Sequence, residues 1–149
     1  MKIKLICISD SDKHFASAIA EYEKRLGRDL EIITVKPEKN GTRDQIITKE
    51  TNKVIEKITS GKDDDFVIFL AKEWKQLTTE QFAEILDGRG SVTFVIGGPY
   101  GLNNAAMKAH VDMMLSFGGM TMPHGLAKLV VLEQVYRVGM IREGREYHY

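Results

Sequence analysis

Apolar residues in this chain are grouped in two ways, and the two ways alternate along most of its length. Short runs rich in valine, isoleucine and phenylalanine occur at Lys2 to Ile8, Leu30 to Val35, Phe66 to Leu70 and Val92 to Ile96. They lack period-two alternation, the pattern of strands buried on both faces of a parallel sheet covered by helices. Between them, apolar positions recur every three or four residues. Phe15, Ile19, Tyr22 and Leu26 mark a first helix that the Ser9-Asp10-Ser11-Asp12 cluster can cap and Gly27 can end. Ile46, Ile47, Val54, Ile55 and Ile58 define a second, from about Arg43 to Ile58, stopping at Ser60-Gly61. Asp63-Asp64-Asp65 then reads as a solvated turn. Phe82, Ile85 and Leu86 belong to a third helix, Thr78 to Leu86, with Thr78 or Thr79 as its cap.

The last third departs from this rhythm. Gly97-Gly98-Pro99-Tyr100-Gly101 follows the fourth strand, and a short polar helix starts at Asn103. A strand candidate runs from Val111 to Phe117, followed by a loop to Gly125 and a long helix from roughly Leu126 to Arg142. The expected inner face of that helix carries Leu129, Val130, Leu132, Val135, Tyr136 and Met140. The βαβα order predicts an α/β fold, a parallel sheet flanked by helices. Such sheets bind ligands at the carboxyl ends of their strands, where both glycine-rich loops stand. On its glycines alone, the Gly97 to Gly101 loop reads equally as a tight turn or as a ligand cradle.

Composition narrows the class. At 149 residues, 43% hydrophobic and 28% charged, the chain is expected to form one domain spanning residues 1–149. Its apolar runs fall far short of the roughly 20 residues that span a bilayer, so no membrane partner is expected. A lone cysteine, Cys7, leaves no intramolecular disulfide and suits a reducing cytoplasm. Twenty-one basic residues balance twenty-one acidic ones, so an anionic partner must meet a local patch. No Gly-x-Gly-x-x-Gly follows the first strand, and neither a P-loop nor a Gly-x-Ser-x-Gly elbow is present. His14, His110, His124 and His148 show no metal-ligand spacing, so no metal is expected.

Four blocks in order carry a resemblance: Ile96-Gly97-Gly98-Pro99-Tyr100-Gly101-Leu102; Leu115-Ser116-Phe117 with Met120-Thr121-Met122-Pro123-His124; Leu132-Glu133-Gln134-Val135-Tyr136-Arg137; and Tyr147-His148. Together with Glu21-Tyr22 and Lys24-Arg25-Leu26, they make the whole chain resemble the RlmH family. These are small SPOUT-class methyltransferases that act on N3 of a pseudouridine in 23S ribosomal RNA, within the ribosome. The resemblance implies a C-terminal trefoil knot, an exception to the rule that chains avoid knots. It implies S-adenosylmethionine as cofactor and a homodimer whose sites are each completed by the neighbouring subunit. By matching position, Leu70, Gly97, Gly98, Gly118, Gly119, Met120, Thr121, Met122 and Pro123 would hold the cofactor. Tyr147 and His148 would reach the target nucleotide with His124 and Arg137 nearby, and His148 is the first candidate for the base that takes the N3 proton. The family usually ends in a basic residue; here Arg142 and Arg145 would supply that charge. Two other readings stay open on the sequence: a knotted methyltransferase with a different RNA target, and a non-catalytic ribosome-binding or assembly module of the same fold.

Overall fold

The computed structural model describes residues 1–9, 12–61 and 64–149. The strands are β1 (Lys2–Ile8), β2 (Leu30–Val35), β3 (Phe66–Gln76), β4 (Ser91–Ile96) and β5 (Met113–Ser116). The helices are α1 (Ala16–Leu26), α2 (Arg43–Thr59), α3 (Thr79–Leu86), α4 (Asn104–Lys108) and α5 (His124–Arg142). Every pairing is parallel, in the order β2-β1-β4-β3-β5. On one face, Leu5, Cys7, Phe94 and Ile96 pack with residues of α1, α3 and α5, while Ile6, Ile8 and Val95 meet α2 and α4 on the other. Both faces of the central strands are covered, which is why their sequences show no alternation.

The capping chemistry of α2 and α3 follows the sequence: Thr42 with Gln45, and Thr78 with Gln81, form reciprocal capping boxes. α1 differs. It begins at Ala16, with Phe15 in the cap position and no side-chain cap. Asp12 is drawn instead to the buried ammonium of Lys128 on α5, at 2.9 Å. Ser9 of the expected cap donates to the Asp12 carboxylate at 3.3 Å, and Asp10 and Ser11 lie outside the described residues.

Three further expectations change. β3 continues past Leu70 to Gln76, because residues 71–74 bulge outward before Lys75 and Gln76 resume pairing with β5. β5 is shorter than Val111 to Phe117, since Asp112 turns its carboxylate onto the Val67 N–H and lies outside the strand. Asp65 is not solvated; it accepts from the Ser91 and Thr93 hydroxyls and pairs with Lys4. Asp63 lies outside the described residues. Burial works against the Asp65 carboxylate, but these three donors outweigh it and hold its pKa below the usual value.

α5 is phased differently from expectation. Val131, Leu132, Val135 and Val138 are buried, while Leu129, Val130, Tyr136 and Met140 are only half-buried. Its apolar side chains therefore wrap more of the helix than one packed face requires. No helix among the described residues is long and apolar enough to cross a membrane.

Candidate functional site

Because all five strands run the same way, the loops leaving their carboxyl ends gather along one edge, and two cavities open there. The first, about 510 Å³, lies over the ends of β3, β4 and β5. Leu70, Gly97, Gly98, Gly118, Met120, Thr121 and Met122 line it, with His124 at the start of α5. Gly119 does not line it, and Pro123 faces the second cavity. The volume is within the range that holds a cofactor-sized ligand, and the walls pair apolar side chains with backbone of the two glycine loops. Gly101 and Gly118 have φ of +72° and +133°, conformations that side chains strain to adopt, so these two turns depend on glycine.

The glycines at 97 and 98 answer to the protein itself. A Cβ on Gly97 would meet Leu102 at 3.0 Å, and one on Gly98 would stand 2.6 Å from Glu50 Oε1. Glu50 is 1% exposed; its Oε2 accepts from the Glu38 N–H and its Oε1 has no partner. Beside it, the buried Thr51 hydroxyl accepts from the Asn103 N–H. Two adjacent polar side chains of α2 thus support the loop from beneath. Neither was singled out from the sequence, although the signal was present: Glu50 and Thr51 interrupt the apolar rows 46, 54, 58 and 47, 55 of α2.

At the other end of α5 the chain is dense in paired polar groups. Arg137 donates to Glu133 and to the Tyr147 carbonyl, and its guanidinium sits 4.7 Å from the Tyr147 ring centre. The Tyr147 hydroxyl lies 3.1 Å from that of Tyr22 and donates to Glu133. Burial, with Tyr22 and Glu133 beside it, pushes the Tyr147 phenol up. His148 Nε2 is 2.7 Å from Glu80, and Nδ1 faces Arg137 at 3.4 Å. A guanidinium can only donate, so Nδ1 accepts and the ring proton sits on Nε2 toward Glu80. A carboxylate that fixes the tautomer of a histidine leaves the opposite nitrogen as a base once Arg137 turns away.

Arg137, Tyr147 and His148 are therefore together, but His124 is not with them. Thirteen residues of helix separate His124 from Arg137, about 20 Å at the α-helical rise. Within one chain the first cavity and the tail cluster are too far apart to act on one atom. Arg142 donates to the Leu86 carbonyl and Arg145 pairs with Glu143, so both already have partners in the chain. Trp74 stands on the β3 bulge beside Lys108, and Tyr100 beside Arg43; both rings are partly exposed.

Residues 1–148 match the model of a family described as predicted SPOUT methyltransferase. The chain is 40% identical to the ribosomal RNA large subunit methyltransferase H of Streptococcus suis, with 99% of each chain covered. The proteins of the same name from Streptococcus equi subsp. zooepidemicus and Streptococcus gordonii are 41% and 38% identical over the same share.

Proposed function

This chain belongs to the SPOUT methyltransferase family, and from that premise we propose that it is a single-domain, S-adenosylmethionine-dependent methyltransferase of large-subunit ribosomal RNA. The acceptor is N3 of a pseudouridine in 23S RNA within the ribosome, in the cytoplasm. The observation that carries the reading is the first cavity, whose two glycine loops and apolar walls fit a cofactor with a flat adenine and a polar tail. Leu70 and Met122 supply apolar surface, the Gly97 to Gly101 and Gly118 to Met122 backbones supply donors and acceptors, and Arg43 stands at the rim. In this family these segments form the trefoil knot.

When bound there, S-adenosylmethionine supplies a methyl group on a cationic sulfur. The chain's own task is to hold the acceptor nitrogen in line with that methyl and to take its proton. The separation along α5 gives the reason for a homodimer. A second copy packed against Leu126, Val130 and Ile141, half-buried on one side of α5, would bring its Arg137, Tyr147 and His148 to the cavity of the first. His148 of that copy, oriented by Glu80, would take the N3 proton, and Arg137 would hold phosphate or the developing ring anion.

Calorimetric titration with S-adenosylmethionine tests the reading. Saturable binding is expected in the wild type and is lost in Thr121→Trp, which places an indole in the cavity from an exposed position. A folded protein that binds no S-adenosylmethionine, with or without ribosomes, overturns the reading and leaves the assembly-module alternative.

A further inference from the structure

The chain has one tryptophan, Trp74, and the fold leaves it 37% exposed on the β3 bulge. Leu70 and Lys75 both pair with Leu115, so residues 71–74 are extra to the ladder, and the ring lies among them. Bulges of this kind re-aim a side chain. This one is held in place: the buried Ser116 hydroxyl donates to the Lys72 carbonyl at 2.7 Å and accepts from the Gly118 N–H at 3.1 Å. A single hydroxyl thereby ties the bulge to a glycine loop of the first cavity, which Lys72 and Glu73 also line.

Charge around the ring is one-sided. Lys72, Lys75 and Lys108 are exposed, and Lys108 Nζ stands over the Trp74 ring at 5.7 Å. Among the described residues none of these three has a carboxylate partner, whereas Lys2, Lys4, Lys53 and Lys128 each have one. Glu73 is the one acidic residue between Leu70 and Leu77. A chain of zero formal net charge thus keeps a local excess of positive charge about its exposed indole. An aromatic ring with lysines beside it fits single-stranded RNA, whose bases stack on the ring while its phosphates meet the ammonium groups.

We propose that Trp74, with Lys75 and Lys108, docks the RNA strand beside the acceptor nucleotide, the ring stacking on a neighbouring base. The inference rests on the methyltransferase reading with N3 of a pseudouridine as acceptor. N3 lies on the Watson–Crick edge, so the acceptor is out of base pairing when it reacts, and stacking on an adjacent base holds the open strand. The bulge sets that platform next to the cavity assigned to the methyl donor. Trp74 touches neither the cofactor nor the reacting atoms; it is a positioning residue for the substrate.

The test measures binding to ribosomes that lack the methyl group, by co-sedimentation, beside kcat and KM for methyl transfer. Trp74→Ala is expected to weaken ribosome binding and raise KM by about tenfold, with kcat and S-adenosylmethionine affinity within about twofold. Trp74→Tyr keeps a stacking face and stays within about threefold of wild type, while Trp74→Leu does not recover. In the double variant Lys75→Ala, Lys108→Ala the slope of log Kd against log monovalent salt falls by about 1.4, as for two lost phosphate contacts on a single strand. Wild-type binding by Trp74→Ala overturns the proposal. Full recovery with leucine, or an unchanged salt slope, overturns it in favour of a protein partner. A Trp74→Ala protein that turns monomeric in sedimentation velocity overturns it in favour of a second copy of this chain. Should Trp74→Ala fail to fold, the tyrosine and leucine variants and the exposed lysines decide. A wild type that binds no S-adenosylmethionine overturns the underlying reading instead, and co-sedimentation still reports on Trp74.

Discussion

The two ends of α5 are built on opposite principles. At its N-terminal end the surroundings are backbone and apolar side chain: glycine turns, Met122, Ala127 and a cavity. At its C-terminal end nearly every surface is a polar side chain already paired, from Tyr22 through Glu133 and Arg137 to His148 and Glu80. The first arrangement suits holding a ligand whose own groups bring specificity. The second suits moving a proton, since a histidine with a fixed tautomer and an arginine beside it need only one contact to change. One rigid helix keeps them about 20 Å apart in each chain, so the proposed division of labour needs a second copy to complete each site.

The largest break in this comparison comes from the polar end. Arg137→Ala is expected to lower the methylation rate by about a hundredfold or more while leaving S-adenosylmethionine affinity within about twofold, which calorimetry beside methyl-transfer kinetics would reveal. Mixing inactive Thr121→Trp with inactive His148→Ala should restore about a quarter of the wild-type rate, because half of the random dimers carry one intact site of two. No recovery on mixing counts against shared sites.

Smaller effects sharpen the contrast at the glycine end. Gly98→Ala drives a Cβ against Glu50, and Gly125→Ala drives one to 2.5 Å from the Phe15 ring. Each should cost about 1–3 kcal/mol in chemical denaturation, as overpacking does. A bulky residue at 98 therefore reports on the α2 support as much as on the cofactor. Away from α5, Asp65→Asn should cost about 1.5–3 kcal/mol at pH 7, the range for hydrogen bonds to a charged group. The folded-state pKa of Asp65 lies below its unfolded value. Its contribution is therefore present above about pH 4 and lost as pH falls through the lowered pKa, and the difference between wild type and variant should close in urea titrations over that window. The smallest effect is expected at Gly119, where a Cβ meets nothing. Gly119→Ala should change stability by less than about 0.5 kcal/mol.

Much of this architecture was legible because burial on both faces leaves an unambiguous trace in β1, β4 and the first half of β3. Features that depend on one polar residue meeting a distant partner were not. Asp12 reads locally as a cap, but Lys128, 116 residues on, claims it. Asp65 reads as turn chemistry, but Ser91 and Thr93 on β4 bury it. The β3 extension was hidden because Lys72-Glu73-Trp74-Lys75 is exposed and carries no apolar run. Glu50 was passed over because a glutamate in a helix ordinarily faces water. At the site, the loops were found from their glycines and the tail from its family resemblance; the distance between them emerged only with the helix.

The position of β1 bears on how the molecule comes into being. This first strand pairs with β2 but also with β4, roughly 90 residues later, and so cannot gain its second neighbour until two thirds of the polypeptide has been made. Pairings of such long range are slow to form, and a half-made sheet leaves an apolar strand edge exposed meanwhile. During synthesis, β1 waits with the edge that will pair with β4 open, and the nascent chain is vulnerable to misassembly in the interval before Ile96 emerges.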